Sequence, residues 1–397
     1  MSDPSANLSG INLVPGPEDD GWVGPPPVTL DDGSVIQLYK DGEAMRHMYR
    51  AIERARLRIC LEVYIFRDDR LGRAMAALLA SKAREGLFVY LLCDGFGSDW
   101  NAPIFREMRS AGVHMARFHP IWPWQCTFSW RPVNRDHRKL LVVDGDIGGL
   151  GGLNIGEEYE GGWVIGETPI TQPWRDNAIG IRGPAARHLL AAFRRTWLYV
   201  HRGGRIARCQ YLHLPTDADF GLLGSVPTMH SPIVRTLRQL FRQAESSIEL
   251  TMAYFAPPPG LVEELCAAAR RGVRVRLMLP GVTNHPIVRS AGRAFFRRML
   301  DAGVEIYERQ GAVLHAKSLC IDRRISVIGS TNLDYRSIEF NLEVSALIRS
   351  PALGQAMGEL FENDVKFARR IDPREWKLRP TYDRAVQWAV NRLRYFL

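Results

Sequence analysis

Two stretches of this 397-residue chain follow the same order of segments, one domain-length apart. The first copy reads "RICLEVYIF", "GRAMAALLASKAREGL" and "FVYLLCDGFGS"; the second reads "SIELTMAYF", "GLVEELCAAARRGV" and "RVRLMLPGVTN". Apolar alternation, then a stripe at helical spacing, then a second β-rich run is what a βαβ unit requires. Each copy continues with a further helix and an "AGV" turn, and each closes alike, "IGIRGPAARHLLAAF" matching "ALIRSPALGQAMGELF". The expectation is an α/β fold of two pseudo-symmetric domains from an internal duplication, with any site at their interface supplied by both. Residues 1–29 read as a flexible lead-in, 30–205 and 206–371 as the two domains, and 372–397 as an amphipathic helical tail.

Inside each copy lies a shorter pattern. His137, Lys139, Asp144, Gly151, Gly152 and Asn154 recur as His315, Lys317, Asp322, Gly329, Ser330 and Asn332, with identical spacing. The chain holds six lysines among 52 basic residues, so keeping one beside each of these histidines is no accident of composition. Residues two apart on a strand share a face, so each histidine projects with its lysine. Asp144 and Asp322 fall on the opposite face and are expected to tie down the strand end. Asn154, Asn332 and Ser330 follow a second short strand, where they are expected to meet a bound oxyanion.

Aligning "IRGPA" with "IRSPA" sets Asp176 opposite Glu343. A carboxylate that accepts from one ring nitrogen fixes the tautomer and raises the basicity of the other. The expected pairs are Asp176 with His137 and Glu343 with His315; two surface acids aligned by chance is the competing reading. Paired histidines, lysines and amides facing one point suit a phosphodiester, with one ring as nucleophile and the other as general acid. The lysines would neutralise the non-bridging oxygens. No metal or other cofactor is expected: a lysine beside each histidine repels a cation, and a third ligand is not apparent.

These residues resemble the phospholipase D superfamily, whose hallmark is a duplicated H-x-K-x4-D motif. The likeness is strongest to bacterial cardiolipin synthases, carried by "NRDHRKLLVVDG", "GGLNIGEEY", "LHAKSLCID" and "GSTNLDYRSIEFNLE" within a stretch from Leu38 to Ile371. It implies a phosphatidyltransferase working through a phosphatidyl-histidine, His137 attacking phosphorus and His315 serving the alcohols. It implies the joining of two phosphatidylglycerols into cardiolipin with release of glycerol; some relatives use phosphatidylethanolamine as donor. Gly152 departs from the serine common at that position, which would remove one hydroxyl donor. Hydrolysis of a phospholipid or nucleic acid by the same core chemistry stays open, as does a catalytically silent membrane-binding module.

The net charge of +9 suits an anionic partner and does not choose between membrane and nucleic acid; the resemblance favours an anionic membrane surface over nucleic acid. Six scattered cysteines read as reduced and mostly buried. No apolar run approaches the ~20 residues that span a bilayer, so the chain resembles the short form of the family, held peripherally on the cytoplasmic side of a bacterial inner membrane. Two segments are candidates for that attachment. The loop bearing Trp122, Trp124, Phe128 and Trp130 suits an interfacial anchor, an acyl-channel wall or a core-packed loop. In the tail, Val386, Ala389, Val390, Leu393 and Leu397 recur at helical spacing, with Arg384, Arg392 and Arg394 elsewhere on the turn. That helix suits an anionic interface or packing on its own domain.

Overall fold

The computed structural model describes residues 21–126, 131–166, 172–214, 219–227 and 231–393. Both copies of the repeat fold as α/β units. The first contributes β1 (Val28–Thr29), β2 (Val35–Lys40), β3 (Arg58–Val63), β4 (Phe88–Asp94), β5 (His114–Phe118), β6 (Arg135–Asp136), β7 (Leu140–Val143), β8 (Ile147–Gly151) and β9 (Asn177–Arg182). The second contributes β10 (Leu212–His213), β11 (Phe220–Ser225), β12 (Ser247–Met252), β13 (Phe255–Ala256), β14 (Arg274–Val282) and β15 (Glu305–Val313). It continues with β16 (Lys317–Ile321), β17 (Ile325–Gly329), β18 (Leu333–Asp334), β19 (Asn341–Arg349) and β20 (Ala368–Arg370). One sheet runs β1-β2-β9-β8-β7-β3-β4-β5, the other β10-β11-β19-β17-β16-β12-β14-β15-β20. The duplication is visible in that order: β9-β8-β7-β3-β4-β5 corresponds strand for strand to β19-β17-β16-β12-β14-β15.

The βαβ units form as the periodicity predicts. Strands β3, β4 and β5 are parallel, linked by helices Arg70–Arg84 and Pro103–Ser110. Strands β12, β14 and β15 repeat this, with helix Pro259–Arg270 as the first link. Asp69 starts its helix by accepting the Gly72 N–H at 2.8 Å, and Ser350 does the same for Leu353 at the head of helix Pro351–Val365.

One face of each sheet enters a shared apolar layer. Cys60, Val142 and Ile181 of the first sheet and Cys320, Ile328 and Ala346 of the second belong to it, with Leu189 and Phe193 of helix Ala186–Arg202 and Leu353 and Met357 of helix Pro351–Val365. Burying each large apolar side chain there stabilises by about 1.5–3 kcal/mol, so this layer joins the halves. The opposite faces hold separate cores under helices Glu43–Glu53 and Arg70–Arg84 in the first half and Pro232–Gln243 and Pro259–Arg270 in the second. Among the described residues all six cysteines are free, and five of them are buried.

The two candidate membrane segments are exposed. Trp122 and Trp124 stack at 5.0 Å between ring centroids while lying 53% and 75% exposed; Phe128 and Trp130 lie outside the described residues. Helix Thr381–Arg392 docks through its polar side, with Gln387 buried and Asn391 Nδ2 donating to the Ala291 carbonyl. Tyr382, Val386 and Leu393 face outward. Packing its apolar stripe on its own domain is therefore not what this helix does. Arg394 and Leu397 lie outside the described residues.

Candidate active site

The motif straddles the start of a hairpin in each half. β7–β8 and β16–β17 are antiparallel, and their turns place Asp144 and Asp322 at φ 53° and 50°. Aspartate tolerates this left-handed region better than most residues. Asp144 accepts the backbone N–H groups of Arg56, Leu57 and Arg58, all at 2.8–2.9 Å. Asp322 accepts those of Glu245, Ser246 and Ser247. Both tether the hairpin to the start of the neighbouring inner strand, far from the histidine rings.

The segment before each histidine leaves its own sheet and pairs with the other half. β6 runs parallel to β19, Asn341 beside Arg135 and Leu342 beside Asp136, and the His137 N–H donates to the Leu342 carbonyl at 3.0 Å. On the other side Arg175 bridges to Leu314, and the His315 N–H donates to the Arg175 carbonyl at 2.8 Å. Each histidine is thus delivered to the strand that carries the other half's acid.

This overturns the expected pairing. His137 Nδ1 lies 3.0 and 3.2 Å from the two oxygens of Glu343, and His315 Nδ1 lies 2.7 Å from Asp176 Oδ2. The acids and histidines are the expected ones, but each pair is formed across the halves. Strand-end pairing is a tertiary choice that an alignment of the two copies cannot carry. Because the carboxylates accept, the hydrogen sits on Nδ1 and each Nε2 keeps a free lone pair.

A second expectation also fails. Ser330 is not aimed at an oxyanion: its hydroxyl donates to Glu343 Oε2 and accepts the Val344 N–H at 3.0 Å. Its work is to hold the acid that holds His137. The departure at Gly152 follows from this, since a Cβ there would stand 2.3–2.8 Å from the Asp176 carboxylate. The shorter acid packs onto a bare backbone; the longer one takes a serine hydroxyl. Asn154 is also engaged, accepting the Ile65 N–H at 3.1 Å and donating to Tyr159 Oη at 2.8 Å. Asn332 differs: it is 2% exposed and its Oδ1 has no hydrogen-bond partner among the described residues.

Charge in the site is set by burial. Lys139 and Lys317 are 4% and 2% exposed, and each ammonium donates to the carbonyl of its own motif histidine. Burial pulls them down to about 7 and about 8. Burial, reinforced by both lysines, holds His137 well below its ordinary value; burial and Lys317 hold His315 down at about 3. Burial pushes Glu343 up to about 7. It also opposes ionisation of Asp176, but the His315 ring, its hydrogen bond and Lys317 outweigh it and keep that carboxyl below its ordinary range.

Four aromatic residues that the motifs do not reveal complete the walls. The Tyr64 ring meets His137 edge-on at 5.1 Å, with Lys139 Nζ 5.4 Å above it. Tyr159, Trp174 and Tyr254 surround His315 at 5.4, 5.2 and 6.2 Å. The available signal was weak: each half has a tyrosine just past its first inner strand, Tyr64 after β3 and Tyr254 after β12. Arg138, inside the first motif, was also missed. Fully buried, it reaches the Glu343 carbonyl, Thr196 Oγ1 at 3.0 Å and the Cys209 carbonyl at 3.0 Å, clipping the halves together.

Comparison with known proteins places the chain in a family. The family described as "Cardiolipin synthase, PLD-like domain" matches residues 237–365. A cardiolipin synthase of Geobacillus kaustophilus is 34% identical over 94% of this chain and 73% of its own length. One from Halalkalibacterium halodurans is 33% identical over 88% of this chain and 70% of its own. A crystal structure of phosphatidylserine synthase from Haemophilus influenzae superposes with a TM-score of 0.72 at 13% identity, covering 94% of this chain and 97% of that one. That likeness concerns the fold. The sequence relatives go further, and with the paired motifs they show that this chain belongs to the cardiolipin synthase family of phospholipase D-type enzymes.

Proposed function

We propose that this chain is a phosphatidyltransferase that forms cardiolipin from phosphatidylglycerol and a second phospholipid through a phosphatidyl-histidine. The observation that carries the reading is the crossed pair of histidines, each with Nδ1 on the other half's acid. His137 Nε2 attacks phosphorus; the phosphorus–oxygen bond to glycerol breaks and His315 protonates the leaving oxygen. His315 then takes the proton from the acceptor hydroxyl, whose oxygen attacks phosphorus and releases His137. In this reading Lys139, Lys317 and the Asn332 amide N–H would oppose charge on the non-bridging oxygens.

The acids support this division of roles. Asp176 stays ionised and favours a charged His315 ring, whereas burial and both lysines hold His137 neutral. The phosphodiester's own negative charge raises the histidines from the low values that burial sets, which lets His315 carry the proton.

Peripheral attachment at the inner face of a bacterial membrane fits the exposed Trp122–Trp124 stack and the outward stripe of helix Thr381–Arg392, with Arg384 and Arg392 on the same helix. Among the described residues no helix is long and apolar enough to cross a membrane.

The test is purified protein on phosphatidylglycerol vesicles, with lipid products followed by mass spectrometry and His137→Ala and His315→Ala alongside. Cardiolipin with stoichiometric glycerol, absent in both variants, is expected. Phosphatidic acid as the sole product replaces transfer with hydrolysis, and turnover of nucleic acid alone refutes a lipid substrate.

A further inference from the structure

The halves of a duplicated protein serve as controls for each other, and here they differ on one sheet face. In the second half β17 and β19 set Val327 opposite Leu347, both buried in that half's core. At the same register the first half has Gly149 opposite Gly180. Gly149 precedes Gly151 of its motif as Val327 precedes Gly329, and Gly180 follows Asp176 as Leu347 follows Glu343. Two cross-strand side chains are missing, and a cavity of about 470 Å³ borders both glycines, open over Gly149 and covered by the Tyr39 ring at Gly180.

Its floor is the row Leu61, Leu141, Gly149, Gly180 and Gln37 across five strands. Met45, Met48 and Ala51 of helix Glu43–Glu53 form its roof. One end is bordered by Lys139 of the motif. The other reaches the surface beside Arg54 and Arg182, both exposed, whose aliphatic stems extend the apolar wall.

We infer that this cavity holds one long acyl chain of the phospholipid whose phosphate sits at the paired motifs, an inference that rests on the phospholipid reading above. The size fits: an apolar cavity of ~150 Å³ takes one benzene, so at equal density about 470 Å³ takes roughly eighteen carbons, one fatty chain. The direction fits as well. A chain whose headgroup is fixed beside Lys139 runs down the floor away from the reacting phosphorus. The glycine pair is thus the first half's specificity device, opening space that the second half fills with its own side chains.

Gly149 is the position to fill. A Cβ there meets Leu141 Cβ at 3.7 Å, an ordinary contact, whereas at Gly180 it would stand 2.8 Å from the Tyr39 ring. Gly149→Val supplies the residue the second half already uses. The full chain is first photolabelled with phosphatidylglycerol carrying a diazirine midway along one acyl chain. Label is expected on peptides containing β8, β9 and helix Glu43–Glu53, and on little else. In Gly149→Val that label disappears, and KM for long-chain phosphatidylglycerol rises about tenfold while turnover of the dihexanoyl lipid is unchanged. Gly149→Ala, the milder filling, gives a smaller rise in the same direction and covers the case in which the valine protein does not fold. Label elsewhere on a protein that makes cardiolipin, or equal losses for both chain lengths, overturns the assignment. Label in the cavity without transfer on any lipid upholds it and removes the transferase reading instead.

Discussion

The crossed carboxylates make a prediction that separates them from acids serving their own half. Asp176→Asn removes an ionised acceptor 2.7 Å from His315 Nδ1 while keeping the shape of the side chain. A hydrogen bond to a charged group contributes about 1.5–3 kcal/mol, which at ~1.36 kcal/mol per decade is roughly a 10- to 150-fold loss of rate. The informative measurement is which chemical step slows. If Asp176 supports His315 as the proton donor, the defect lies in leaving-group departure. A phosphatidyl donor with p-nitrophenol in place of glycerol leaves without a proton, so Asp176→Asn, like His315→Ala, regains near-normal release of nitrophenol in the first burst. Glu343→Gln, like His137→Ala, does not, because the bond to phosphorus fails to form. Stopped-flow absorbance on the two variants reads this directly. Rescue of Glu343→Gln and not of Asp176→Asn would refute the crossed arrangement.

Other consequences follow from the same geometry. Gly152→Ser pushes a Cβ to within 2.3–2.8 Å of the Asp176 carboxylate; although serine stands at the equivalent position 330, the variant is expected to lose activity about as much as Asp176→Asn, roughly tenfold or more, in the same leaving-group assay. Arg138→Met removes hydrogen bonds to the Glu343, Cys209 and Ser225 carbonyls of the other half and leaves the buried Glu62 and Asp136 without their nearby cation; urea unfolding is expected to show a loss of about 3 kcal/mol. Asp144→Ala and Asp322→Ala each orphan three backbone N–H groups; about 1–3 kcal/mol of stability should go while the rate per folded molecule holds. Burial keeps both histidines neutral at pH 7, so in protein without added anion their ring nitrogens should not titrate in NMR between pH 8 and 6. One anionic charge about 4 Å away at an effective dielectric near 20 is worth ~4 kcal/mol, or about three pH units upward. Saturating inorganic phosphate should therefore bring at least one ring's titration into that window, and an unchanged spectrum would contradict the proton-carrier role of His315.

Much of this was legible because duplication doubles every signal. The parallel βαβ units, their repetition in both halves and the placement of each motif on a strand followed by a second short strand follow from periodicity and repeat, since local pattern decides local structure. The acids were legible too, because aligning the copies put Asp176 opposite Glu343. What the alignment could not carry is which molecule-half each acid faces, because β6 and Leu314 leave their own sheets to pair with the other half. Ser330 misled for a related reason: a hydroxyl near a phosphate site has two plausible acceptors, and only packing shows that Glu343 takes it. The tail helix's pattern left two readings open. Its apolar stripe is real, yet Gln387 and Asn391 occupy the docked side, and no periodicity says which face of an amphipathic helix meets protein.

Crossing the acids gives the fold a property that two independent half-sites would lack. Neither half holds a finished histidine: His137 is oriented by β19 and His315 by the strand end at Asp176. The site therefore exists only when the halves are docked, which is the setting in which Arg138, bidentate Arg175–Asp364 at 2.7 Å, and the shared apolar layer act together. Within that frame the symmetry is broken by single side chains. A glycine lets a short acid press against the backbone and stay charged, and a serine holds a longer acid that burial pushes toward neutrality. In the mechanism we propose, two rings in nearly the same surroundings thereby take different proton affinities once substrate brings its charge, and that difference divides one duplicated motif into a nucleophile and an acid.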